Sequence, residues 1–212
     1  MPRCTGCAAF TPEAPRRKPT GADGSAFERA ELLGVEAAAQ LHAFAQDTVH
    51  AWARGGALPR PPDHPELMAL AGAFVTLHRA GALRGCIGHI ENDLSIREAT
   101  GRMAVAAARD DPRFPPLGAG ELEGLTVEVT VLTPPLPTRP DEVVPGRDGV
   151  IVRRAGRLGV LLPQVAPEMG WGRVELLAGV CRKAGLAAVS WRDAGTEILT
   201  FRAQVIGERD AP

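Results

Sequence analysis

The sequence predicts an α+β fold of two closely packed lobes, with mixed or antiparallel sheets covered by helices. Three observations predict it. Strand-like segments recur in pairs joined by turn residues, helical periodicities are interleaved with those pairs, and Pro134-Pro135-Leu136-Pro137 interrupts the chain as a stiff surface link. With 212 residues, 45% of them hydrophobic, the chain can build a substantial core.

Residues 1–24 hold Pro12, Pro15, Pro19 and the basic run Arg16-Arg17-Lys18 but few large apolar groups, and are expected to be a disordered tail. A domain over residues 25–208 follows, with a lobe boundary expected near 133–148 and a short tail over 209–212. Ser25 and Glu28 have capping-box spacing, and Leu33, Ala37, Leu41, Phe44, Thr48 and Trp52 recur at helical steps before Gly55-Gly56. A proline-rich connection leads to a hairpin, Gly72 to His78 and Leu83 to Ile90, turning through Gly81. Ser95 and Glu98 open a second helix, which ends before Pro112. Leu125 to Leu132 alternates cleanly as a half-buried strand, with Val127, Val129 and Val131 on one face and Thr126, Glu128 and Thr130 on the other. A second hairpin around Ala155-Gly156 and a structured loop from Pro163 to Trp171 follow. A helix carrying Leu176, Leu177, Val180 and Cys181 comes next, and a strand from Glu197 to Val205 completes the fold.

Net charge is −1 and lysine occurs only at Lys18 and Lys183, a balance that gives nucleic acid or an anionic membrane no general attraction. The run Arg16-Arg17-Lys18 is the only feature that favours nucleic acid. No apolar run reaches the ~20 residues of a membrane span. The N-terminus lacks the apolar centre of a secretory signal, so a cytoplasmic protein is expected. Cys4-x-x-Cys7 has the spacing of half a zinc site, yet no second pair follows, and the histidines lack zinc-enzyme spacing. No metal and no cofactor are expected.

The segment Leu83-Arg84-Gly85-Cys86-Ile87-Gly88 concentrates the candidate chemistry. In an extended strand Arg84 and Cys86 project to one face, where a guanidinium favours thiolate over thiol. Gly85 and Gly88 would leave bare backbone for a ligand, whose developing negative charge their N–H groups could meet. Cys86 is therefore the candidate nucleophile and Arg84 its activator or the anion holder. The plainer alternatives are a packed thiol and an internal ion pair from Arg84 to Glu128 or Asp111. Hairpin pairing brings Thr76 and His78 opposite this region, His78 being a candidate base for the thiol.

Further segments extend the pattern: Gly72-Ala73-Phe74-Val75-Thr76-Leu77, Asp111-Pro112-Arg113-Phe114, Glu121-Leu122, Leu125 to Val129, Gly146-Arg147-Asp148-Gly149, Leu161 to Trp171, and Cys181 to Leu186. With the cysteine segment, they make the chain resemble the AMMECR domain family over roughly residues 30 to 208. That family includes protein A of the AmmeMemoRadiSam system. The resemblance implies a two-lobed α+β domain with the cysteine segment near the cleft, and association with Memo-like and radical S-adenosylmethionine proteins. It implies no particular reaction.

Asp111 and Arg113, where the chain reverses, are candidates to line the cleft or to bridge elements. Glu128 is a candidate acid or base if its face is covered. Gln164 and Trp171 flank a loop where a planar ligand could stack, or where Trp171 simply anchors the loop. Two functional readings follow. One is a cleft around Arg84 and Cys86 that binds or processes a small anionic substrate. The other is a non-catalytic adaptor for the two partner proteins, working through loop residues Pro134 to Arg147.

Overall fold

The computed structural model describes residues 33–207. The expected N-terminal tail, the Ser25 capping box and the 209–212 tail lie outside them. The described residues hold four helices and eight strands, the helices being α1 (Val35–Ala53), α2 (Ile96–Arg109), α3 (Val165–Met169) and α4 (Arg173–Lys183). The eight strands are β1 (Ala73–Arg79), β2 (Ala82–His89), β3 (Leu125–Leu132), β4 (Leu136–Pro137), β5 (Gly149–Arg154), β6 (Arg157–Leu161), β7 (Glu197–Phe201) and β8 (Ala203–Ile206). They make two four-stranded sheets, ordered β2-β1-β3-β8 and β4-β7-β5-β6. The chain divides into two compact units, one running to Val131 and resuming at Val205, the other spanning Leu132–Gln204. The segment Pro134 to Arg147 thus falls inside the second unit.

In the first unit, β1 pairs antiparallel with both β2 and β3. Alternation sends Val75 and Leu77 of β1 and Val127 and Val129 of β3 to one face, where they pack with Ala37, Leu41, Ala45 and Val49 of α1 and Ala104 and Ala107 of α2. The alanines on both helices allow close approach to the sheet. Phe74, Thr76, Cys86, Glu128 and Thr130 point to the opposite face. Glu98 Oε2 accepts the Ser95 backbone N–H at 3.1 Å and its hydroxyl at 2.6 Å, as the spacing at the start of α2 anticipates. The β1–β2 turn uses Ala80 (φ 49°) and Gly81 (φ 74°), the doubly left-handed pair of a two-residue hairpin loop.

The second unit packs α4 on β5 and β6 around Val150, Val152, Leu161, Leu177 and Val180. Cys181 is fully buried there, where burial pushes its thiol up.

Four expectations need correction. Helix α1 begins at Val35, after Gly34 in extended geometry, so Leu33 packs into the core from outside the helix. The loop after Pro163 contains the short helix α3. Leu136–Pro137, expected as part of a stiff surface link, pairs with β7 as a short strand. The strand expected from Glu197 to Val205 is two strands in different sheets, broken at Arg202. There, Thr133 N–H donates to the Arg202 carbonyl at 2.9 Å and Arg202 N–H donates to Thr133 Oγ1 at 2.8 Å, so the break has its own hydrogen bonds.

Candidate functional site

The cysteine segment lies on β2, an edge strand. Its pairing with β1 runs Thr76↔Cys86 and Leu77↔Gly85, then jumps to His78↔Leu83. Arg84 is the extra residue of a β-bulge. The strict alternation expected to place Arg84 and Cys86 on one face therefore fails between them, because a bulge re-aims the side chain it carries. The register also puts Thr76 opposite Cys86 and sets His78 across from Leu83.

Arg84 is buried and forms a two-pronged ion pair. Its Nε donates to Glu121 Oε1 at 2.8 Å, and its Nη2 donates to Glu121 Oε2 at 2.9 Å and to the Pro115 carbonyl at 2.9 Å. The carboxylate partner is thus Glu121, in place of the expected Glu128 or Asp111. The Arg84 hydrogen bonds, with a further one from Gly118 N–H, hold Glu121 down to about 2. The sequence reasoning assigned Glu121 no such role, because nothing local connects residues 37 apart in the chain.

Asp111 makes a second knot. Its Oδ2 accepts the Cys86 backbone N–H at 2.8 Å and Arg113 Nη2 at 2.6 Å, while Oδ1 accepts Arg113 Nε at 2.9 Å and Arg113 N–H at 3.1 Å. Burial by itself would raise this carboxyl. The bonds from the Arg113 side chain and the two backbone N–H groups outweigh it and bring the group to about 2. Phe114 lies between the two knots, with the Arg84 and Arg113 guanidinium carbons 5.6 and 5.5 Å from its ring centroid. Two cations and two carboxylates leave this cluster electrically balanced.

Neither glycine of the segment exposes open backbone. A Cβ on Gly85 would stand 2.3 Å from the Ala107 carbonyl oxygen of α2, and one on Gly88 only 2.0 Å from the Phe74 ring. The glycines are there for close packing of helix and ring against β2.

What remains open is a row across the sheet. Cys86, Thr76 and Glu128 occupy matched positions on β2, β1 and β3, all on the face away from the helices. Cys86 is partly exposed, and the Thr76 hydroxyl lies 3.4 Å from its sulfur. Because the Cys86 N–H points outward to Asp111, Thr76 and Cys86 form a non-hydrogen-bonded pair, the kind that brings facing side chains closest. The row assembles a thiol, a hydroxyl and a carboxylate on three adjacent strands.

Gln164 and Trp171 belong to the second unit. Trp171 lies against Gly179 of α4, where a Cβ would come within 2.5 Å of its ring, so the indole ties the α3 loop down. Among the described residues, no three His, Cys, Asp or Glu side chains gather as a metal site, and no helix is long and apolar enough to cross a membrane. Cys4 and Cys7 lie outside the described residues.

The AMMECR1 family model matches residues 42–206. A protein of Thermococcus gammatolerans, named only "Protein", is 44% identical over 178 residues, covering 78% of this chain and 87% of its own. A protein of Methanosarcina acetivorans with the same bare name is 41% identical over 178 residues, covering 79% and 89%. The crystal structure of "Uncharacterized Protein PH0010" from Pyrococcus horikoshii superposes with a TM-score of 0.70 at 41% identity, over 78% of this chain and 88% of that one.

Proposed function

This chain belongs to the AMMECR1 family, and from that premise we propose that it binds and processes a small anionic molecule at the Cys86–Thr76–Glu128 row. Cys86 is the nucleophile. Its sulfur adds to an electrophilic carbonyl carbon of the substrate, the carbonyl π electrons moving to the oxygen, and the thiol proton passes to the Glu128 carboxylate. The Thr76 hydroxyl donates to the sulfur and stabilises negative charge on it. Arg84 is a positioning residue in this reading, since its Nε and Nη2 are committed to Glu121 and Pro115. Arg113, whose Nε and Nη2 are likewise held by Asp111 but whose side chain is 27% exposed against 10% for Arg84, meets the substrate's anionic group from its exposed side. The observation that supports this reading is the partly exposed sulfur within reach of the Thr76 hydroxyl.

The test compares a charged and a neutral reagent at one sulfur. Cys86 is alkylated with iodoacetate and with iodoacetamide, and modification is followed by peptide mass spectrometry. The reading expects iodoacetate to be favoured over its intrinsic ratio on free cysteine, with that preference lost in Arg113→Gln and the overall rate lowered in Glu128→Gln. A ratio equal to that of free cysteine would remove the anionic substrate. An unchanged rate in Glu128→Gln would remove the base.

A second reading, an adaptor for Memo-like and radical S-adenosylmethionine proteins, is supported by Leu136 and Val144, large apolar side chains exposed in the segment Pro134 to Arg147. It expects Leu136→Asp with Val144→Asp to abolish capture of such partners while Cys86→Ser leaves capture intact. Capture unaffected by the loop changes would end it.

A further inference from the structure

Beyond the thiol row, we infer that the first unit carries a second small-ligand site, a cleft between α1, α2 and the proline-rich connection, suited to a compact apolar carboxylate. The cleft encloses about 240 Å³. Phe44 and Thr48 of α1 line it together with Leu58, Pro59 and Pro61 of the connection. Leu58 stands 51% exposed at the lip, an apolar side chain held in water beside an apolar hollow. Gly101 of α2 also lines the cleft, and an added Cβ there would come within 3.0 Å of the Phe44 ring, so a larger residue would narrow it. The volume is below the ~300–1,000 Å³ that drug-sized ligands occupy, which limits the apolar body to about one ring or a short branched chain.

The charges at the mouth decide the sign of the ligand. Arg97 also lines the cleft, but its Nη1 is engaged, donating to the Pro62 carbonyl at 3.2 Å and to Asp63 Oδ1 at 3.3 Å. Glu98 lines the cleft as a carboxylate that keeps its charge, held to Ser95 by that residue's backbone N–H and hydroxyl. Arg102 remains, and among the described residues it makes no hydrogen bond or ion pair, acting only through space on Asp93 and Glu98. An apolar hollow with one uncommitted guanidinium at its rim favours a ligand with an apolar body and a carboxylate head. The inference does not rest on Cys86. The cleft lies among the helices on the side of Val75 and Leu77, and the thiol row faces the other way.

Phenylacetate and its neutral analogue phenylacetamide are titrated into the ¹⁵N-labelled full chain, and backbone amide shifts of Leu58, Gly101 and Arg102 are followed. Saturable shifts at these amides are expected, with the carboxylate bound up to about fivefold more tightly than the amide, as for one exposed ion pair. Arg102→Gln should erase that preference, and Leu58→Ala should weaken both probes without changing their ratio. Arg102 is exposed, so its substitution leaves the fold intact. Absence of saturable shifts, equal affinity for the two probes, or a preference that survives Arg102→Gln would overturn the site.

Discussion

The backbone N–H of Cys86 is capped by the carboxylate of Asp111 at 2.8 Å, which closes the outer edge of β2 at the residue that carries the thiol. An exposed strand edge is a template for pairing with another chain, and a side-chain carboxylate at that point blocks it. The same carboxylate takes three further bonds from Arg113, so it positions β2 and the segment after α2 together. Asp111→Asn keeps one oxygen acceptor but turns the other into a donor facing donors. A loss of about 2–3 kcal/mol in urea-unfolding stability is expected. Backbone amide exchange at Cys86 should also accelerate relative to the centre of β1.

The Arg84–Glu121 pair makes a separate prediction. Glu121→Ala leaves a buried guanidinium with only the Pro115 carbonyl, and a cost of about 3 kcal/mol is expected in the same unfolding measurement. Arg84→Lys keeps the charge but cannot form both bonds, so it should cost less than Glu121→Ala and still be measurable. The double variant should be less destabilised than the sum of its parts, by about 1–3 kcal/mol, because the two residues share one interaction.

Acid should weaken the fold through the same two carboxylates. Both Asp111 and Glu121 are held at about 2, below their ordinary values of 3.8 and 4.5. A depressed folded-state value contributes stability above the ordinary value, and that stability is lost as pH falls through the window from about 4.5 to about 2. The linkage amounts to about 2 kcal/mol for the buried Asp111, and less for Glu121, whose side chain is 29% exposed. Unfolding midpoints measured from pH 6 down to pH 2.5 should show this decline, and Asp111→Asn should flatten it from an already lower plateau.

The glycines of the cysteine segment should respond unequally to substitution. At Gly85 a Cβ meets main-chain oxygen of α2, which moves only if the helix moves, whereas at Gly88 it meets the Phe74 ring. Gly85→Ala should therefore cost more than Gly88→Ala, within the ~1–3 kcal/mol usual for overpacking. Phe74→Leu should recover part of the Gly88→Ala loss and none of the Gly85→Ala loss.

Much of this frame was legible before any coordinates. The alternation from Leu125 to Leu132 and the Ser95–Glu98 capping box both report strictly local physics, and both elements stand where expected. The break at Arg202 was not legible, since apolar alternation continues from Leu199 to Val205 while the chain changes sheets. The site was read with the same strength and the same weakness. Hairpin pairing, a short-range consequence of the turn, placed Thr76 opposite the Arg84 to Cys86 region, while the exact partner, Cys86, depended on a turn length the sequence left open. Arg84 was aimed wrongly because a period of two assumes an unbroken ladder, and its bulge depends on packing against residues 31 and 37 positions away.

The thiol of Cys86 carries the functional reading, and its reactivity beside that of Cys181 tests it most directly. Native protein is treated with iodoacetamide at neutral pH and each cysteine is followed separately by peptide mass spectrometry. The account predicts ready modification of Cys86, slowed by Glu128→Gln, while the fully buried Cys181 is modified only after unfolding. A Cys86 as inert as Cys181 in the folded protein would contradict it.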